Sequence, residues 1–276
     1  MFAQFGMWCL KAAAVWIALL AGTILGGMIG GGLGIAPPAH PDGPLSSGAA
    51  FLVVAALHAL VLAGLAAWSR LVGVRLGLFL FVVMFAAQAV LMQIETLFFA
   101  AHVGLPPELI PRILLRAGFT AALAAAVAAL LFRSAPTAPT AIDGLVWRLP
   151  AVAVVYVSLY FGAGYCIAWQ FPALRAYYAE GADIALLPLI VVQLGRGLLW
   201  AALAWLLVRN LHGRLAVRAA LAALAFCVFG VAQLLYPNPF MPWAVRWPHL
   251  LEVGVANTLF GLIASALLLG ALRRLA

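Results

Sequence analysis

Glu95, Arg116, Arg196, His249 and Glu252 each interrupt or border a long apolar run, and they are the residues with the most chemistry to offer. A charge placed in hydrocarbon costs about 2.5–3.5 kcal/mol on insertion scales, so such groups are expected to face a protein interior and to find partners. Gln88, Met92, Glu95, Phe99 and His102 share one helical face, with Gln93 off it, and Arg112, Arg116 and Thr120 form a stripe on the following segment. A short connection joins these two segments, which makes Glu95 and Arg116 the expected ion pair. Further along, Gln193, Arg196 and Trp200 share a face, and Arg196 needs an anion, for which Glu252 is the candidate. Arg246, His249, Glu252 and Asn257 occupy one broad arc of the last apolar segment, while His58 stands alone among apolar neighbours.

What chemistry would this set support? Glu252 or His249 has the character of a general base, and Arg196 or Arg116 that of an oxyanion or phosphate stabiliser. No nucleophile accompanies them, since Ser158 and Cys166 have no adjacent base in sequence, and there is no G-x-S-x-G, Walker loop, H-E-x-x-H or glycine-rich dinucleotide turn. Soluble-type nucleotide chemistry is thereby excluded. His58, Glu95, His249 and Glu252 have the ligand types of a zinc or iron site, but Arg116 and Arg196 would oppose a divalent cation. The His-x-x-Glu order is also the reverse of the di-iron motif. No metal and no cofactor is expected.

The segments that carry these residues are set by composition. Hydrophobic residues make up 67% of the 276 and charged residues 8%, against roughly 45–50% and 25% in soluble domains, so the solvent for most of the surface is lipid. Apolar runs fall at 10–33, 49–68, 76–101, 109–132, 150–169, 186–208, 215–235 and 249–271, each long enough for a bilayer core of about 30 Å. The fold expected is all-α, a polytopic bundle of about eight transmembrane helices in one integral domain, 1–276; the first run is read as a retained span. Cys9, Cys166 and Cys227 lie far apart in apolar stretches and read as buried packing residues.

The breaks between runs sort by charge. Lys11, Arg70, Arg75, Arg133, Arg148, Arg209, Arg214, Arg218, Arg273 and Arg274 flank the even-numbered breaks or the termini. The other breaks carry Asp42, Glu108, Glu180 and Asp183, with Arg112, Arg175 and Arg246 at their edges. The positive-inside rule then places both termini in the cytoplasm, which requires an even number of spans, and the expected location is the cell membrane. Scattered Arg with no basic run also argues against nucleic acid as a partner.

Three further features bear on architecture. Residues 134–149 form a Pro/Thr/Ala cytoplasmic linker at the midpoint, and the halves 1–133 and 150–276 show weak similarity. Pro106 aligns with Pro242, Gly118 with Gly254, Arg116 with Glu252 and, at another offset, His58 with Arg196, as in a 4+4 parallel pseudo-repeat. Gly22, Gly26, Gly30 and Gly34, with Gly27 and Gly31 beside them, form a ridge suited to close helix packing inside the bundle. In the outer breaks, His40 to Gly48 is a turn region and Pro172 to Glu180 has the makings of a short helix. Residues 237–248 read as a proline-rich aromatic hairpin at the membrane interface.

All the intramembrane polar groups fall in the outer halves of the runs, and the inner halves are almost purely Ala, Leu, Val and Phe. That asymmetry points to an outward-facing polar cavity. The leading expectation is a transporter or permease-like protein that binds a small anionic or zwitterionic molecule through Arg196, Arg116, Glu95, His249, Glu252, Asn257, His58, Gln88 and Gln193. An intramembrane enzyme acting on a lipid or lipid-linked substrate at the outer leaflet is the alternative, and a structural subunit the third. The bilayer is the expected partner, with a small-molecule or lipid ligand; the oligomeric state is left open.

Overall fold

The structure, a computed structural model, describes residues 2–30, 42–103, 105–133, 137–179 and 186–270. Of the sequence expectations, those resting on Gly31, Gly34, His40, Glu180, Asp183, Arg273, Arg274 and the side chain of His102 lie outside it.

Among the described residues, eight helices are long and apolar enough to cross a bilayer, which makes this an integral, multi-pass membrane protein. In chain order they are α1 (Phe2–Ile29), α2 (Ser47–Ala67), a composite α3, α4 (Leu109–Leu131), α5 (Leu145–Cys166), α7 (Leu186–Asn210), α8 (Leu215–Val231) and α9 (Trp243–Leu268). The short α6 (Pro172–Ala179) lies between α5 and α7 and begins at its proline, where the missing N–H costs nothing. The exterior is lipid-like: Ile17, Leu60, Phe119, Val154 and Leu198 are exposed at mid-helix. For the same reason Cys9 and Cys166 are exposed rather than buried, because an apolar residue in such a helix packs inward or faces lipid with equal ease.

Besides α1, which already begins at Phe2, two helices start earlier than hydropathy indicates, each taking in a proline. α5 begins at Leu145 and takes Pro150 into its early turns, and α9 begins at Trp243 and takes in Pro248. A third departure sits inside α3, where Gly73–Phe85 passes through a π-helical turn, Ala86–Val90, into Leu91–Val103. The extra residue of such a turn changes the phase of every side chain that follows, and π-turns concentrate at functional sites.

The helix neighbours repeat between the first four spans and the last four. α1 packs on α2 and α4 as α5 packs on α7 and α9; α3 packs on α4 as α8 packs on α9; α2 touches α3 and α4 as α7 touches α8 and α9. Across the halves, α2 meets α8 as α7 meets α3, and α3 also meets α8. Close packing holds each half together. A Cβ on Gly26 would lie 2.9 Å from the Arg116 carbonyl oxygen, and one on Gly22 2.9 Å from Thr120 Cα, so the glycine ridge of α1 serves contact with α4. In the other half, Gly261 brings α9 still nearer to α8, with a Cβ there falling 2.5 Å from Ala223 Cα.

At the end of the bundle where α1 starts and α9 finishes, the halves are fastened by backbone. Ser69 and Leu211 form an antiparallel bridge, with Arg70 N donating to Asn210 O at 2.7 Å and His212 N to Trp68 O at 2.9 Å. The midpoint linker joins in, as Thr137 N donates to Arg70 O and Thr140 N to Arg209 O. This end is more polar than its sequence indicates: Arg148, Asn210 and Arg218 are buried. They neutralise helix C-termini, Arg148 donating to Leu267 O and Leu268 O, and Arg218 to Leu211 O.

Candidate functional site

At the opposite end, a cavity of about 1100 Å³ is lined by residues from all eight spans, from α6 and from the segment 236–241. Glu95, Arg116, Arg196, His249, Glu252, Asn257, His58 and Gln88 all line it, and Gln193 is buried directly behind. Five spans, α2, α3, α4, α7 and α9, bring these side chains to one end of the bundle, which is why residues scattered over the sequence meet. Leu19, Val54, Leu159, Leu189 and Phe260 supply apolar wall between them.

The deepest polar group is Arg196, 1% exposed and about 15 Å below the start of α7 by the rise per residue. Its guanidinium is fully employed. Nη2 lies 2.9 Å from Glu95 Oε2, Nη1 donates to Gln193 Oε1 at 2.8 Å, and Nε donates to Leu91 O at 3.0 Å. The Tyr156 ring lies 5.8 Å away, and the Tyr160 side chain hydrogen-bonds Glu95. The anion for Arg196 is therefore Glu95, not Glu252, and the expected Glu95–Arg116 pair is not formed. The reason is the way the helices cross: Glu95, on the last part of α3, reaches across to α7, and Gln93 and Thr96 join Met92 and Glu95 on the cavity wall.

A second group sits nearer the mouth. Tyr178 Oη lies 3.0 Å from His249 Nε2, and His249 Nδ1 lies 2.8 Å from Glu252 Oε2. With the carboxylate accepting from Nδ1–H, Nε2 accepts from the Tyr178 hydroxyl. Burial raises the pKa of Tyr178 above its ordinary value, and Glu95, Tyr177 and Glu252 act in the same direction, so the hydroxyl stays protonated. Sequence analysis gave Tyr178 no role beyond the short helix that carries it; the available signal was the place of that helix next to spans rich in intramembrane charge.

Arg116 differs from Arg196. It lines the cavity, but among the described residues it makes no ion pair; its charge pulls down the hydroxyl pKa of Tyr236 against the larger upward effect of burial. Asn257 is turned to the bundle and donates to Phe226 O at 3.1 Å. Arg246 belongs to the rim. It pairs with Asp42 at 2.9 Å and donates to the carbonyls of Leu234, Tyr236 and Met241, holding the proline-rich segment over the cavity together with the Tyr177–Phe240 hydrogen bond of 2.7 Å.

Below Arg196 the cavity ends on aromatic rings. Trp200 and Phe226 are fully buried with centroids 5.3 Å apart, and Tyr156 and Phe260 complete the layer. Beyond it lies close-packed Ala, Leu and Phe. Among the described residues no three of His, Cys, Asp or Glu gather as a metal site. The set His58, Glu95, His249 and Glu252 is divided between the Arg196 pair, the Tyr178 chain and a separate position on α2.

The fold and this site define a helical membrane protein with a one-ended polar cavity between two similarly arranged halves. No protein-family model, curated protein or solved structure matches the chain.

Proposed function

We propose that this chain is a transporter or permease-like protein of the cell membrane, with cytoplasmic termini and an outward-facing cavity for an anionic or zwitterionic molecule. The observation that supports it is the Arg196–Glu95 pair, which joins α7 to α3 across the two halves at the base of the cavity. A polar site near mid-depth on the boundary between two four-span halves is where a transporter built from parallel repeats binds its cargo. The matching helix neighbours favour such a duplication. The backbone clasp at Ser69 and Leu211 supplies what a one-sided state needs, a closed seal at the other end made by contacts between the halves. The cation-rich breaks at that end favour the cytoplasmic side for it.

A second reading, an enzyme acting on a lipid at the outer leaflet, draws on the Tyr178–His249–Glu252 chain, in which a carboxylate orients an imidazole against a hydroxyl. The two readings differ in whether the cytoplasmic half ever opens. Ala63 is fully buried on α2, five residues beyond His58 toward the clasp. In a cysteine-free background, Ala63→Cys should react slowly with a membrane-impermeant thiol reagent applied from the cytoplasmic face of vesicles. A disulfide between Ser69→Cys and Leu211→Cys, formed before labelling, should abolish that reaction. Complete protection of Ala63→Cys without the disulfide, in a protein whose cavity residues label from the outer face, contradicts transport and favours the enzyme.

A further inference from the structure

The polar groups of the cavity divide into those that are satisfied and those that are not, and the second set has a definite chemical complement. Arg116 presents a guanidinium without an acidic partner among the described residues. Glu252 presents a carboxylate whose Oε2 takes His249, and whose other oxygen is 3.4 Å from where a Cβ on Gly164 would stand. A side chain at position 164 would crowd that oxygen. No Arg or Lys pairs with Glu252 among the described residues. Arg116 belongs to α4 and Glu252 to α9, the helices that correspond in the two halves, so the opposite charges come from opposite halves of the molecule.

The same cavity also holds acceptors in want of a donor. His58 is 2% exposed, bonds the Val228 backbone through its ring, and leaves Nε2 buried and unpartnered; with its proton on the nitrogen facing Val228, Nε2 is an acceptor. Gln88 Oε1 and Gln93 Oε1 are likewise buried without a partner, and all three residues line the cavity. Leaving such an atom unsatisfied costs about 1–3 kcal/mol, so three in one cavity require a ligand, or water, that donates hydrogen bonds. The volume, about 1100 Å³, is above the roughly 300–1000 Å³ of ordinary small-molecule sites, and much of the wall is apolar.

We propose that the cavity takes an amphipathic zwitterion carrying N–H donors: its anionic group meets Arg116, its ammonium group directs its three N–H donors to Glu252 and to acceptors among His58, Gln88 and Gln93, and its apolar part fills the remaining volume. This rests on the transporter reading for its consequence, delivery of the molecule across or into the membrane, but not for its chemistry. A phosphoethanolamine headgroup has the required groups. A phosphocholine headgroup has the same charges and no N–H, and a phosphatidic acid has only the anion.

The test is equilibrium binding to the purified full chain in detergent, with dihexanoyl forms of these three lipids and with free O-phosphoethanolamine. The ethanolamine lipid should bind about tenfold more tightly than the choline lipid, the gain expected from one or two well-placed hydrogen bonds. His58→Leu should remove that preference while leaving choline-lipid binding unchanged, and Gln88→Leu should reduce it if the His58 variant fails to fold. Arg116→Gln should weaken both lipids. Binding of free O-phosphoethanolamine as tight as that of its lipid would assign the same chemistry to a soluble zwitterion. Equal binding of ethanolamine and choline lipids, or tightest binding of phosphatidic acid, would overturn the proposal. Because binding in detergent needs no movement of the halves, a headgroup preference with Ala63→Cys permanently protected would remove transport and keep the ligand class.

Discussion

Two arginines of the cavity, so similar in sequence context, carry opposite expectations. Arg196 is buried with every arm bonded, and Glu95 neutralises it; removing one partner of such a pair leaves a stranded charge, at a cost of about 3–5 kcal/mol. Glu95→Gln should therefore lower thermal stability strongly, and the double variant with Arg196→Gln should recover a large part of the loss. Arg116 has no ion pair among the described residues, so Arg116→Gln should change stability by less than about 1 kcal/mol, and scanning calorimetry of the three proteins separates the cases. That the acids and bases would meet was readable from their confinement to one end of the apolar runs. Which acid would meet which base was not, because Glu95 lay nearest to Arg116 along the chain and the choice of Arg196 depends on how α3 and α7 cross. Tyr178 escaped notice for a related reason: its partner His249 lies 71 positions away, and only the seating of α6 over α9 brings them within 3.0 Å.

At the scale of the helix, small residues set the distances and the π-turn sets the phase. A Cβ at Gly26 would run into the backbone of Arg116, and Gly27, one position on, has open space. Gly26→Ala should destabilise by about 1–3 kcal/mol and Gly27→Ala should be nearly neutral, read as melting temperature in detergent. Gly261→Ala should be worse than either, since its Cβ would fall 2.5 Å from both Ala223 N and Ala223 Cα. The α1 ridge was visible as a glycine every fourth residue; the tighter contact at Gly261 has no such repeat and emerges only with the α8–α9 crossing. Span positions were likewise legible in the apolar runs, since lipid imposes both length and polarity on a helix. Helix starts were not, because α5 and α9 extend past the hydrocarbon into residues of mixed polarity, and proline in an early turn is tolerated. The π-turn has no hydropathy signature at all.

For the whole molecule, polarity is distributed by purpose. At the clasped end, Arg148 and Arg218 spend their donors on carbonyls at helix ends. At the other end, charged groups face a shared cavity, and only part of their bonding capacity is used within the protein. Two halves that meet at a buried ion pair, a backbone clasp and an aromatic layer have the parts needed to rock about their boundary. The most direct measurement is a pulsed electron-resonance distance between spin labels at Val74→Cys and Leu215→Cys, exposed positions at the clasp end on α3 and α8, in a background with Cys9, Cys166 and Cys227 replaced. Transport by movement of the halves requires two populations, a short distance with the clasp closed and a longer one with it open, redistributed by the ethanolamine lipid. A single narrow distance, unchanged with lipid and pH, would contradict transport by this cavity.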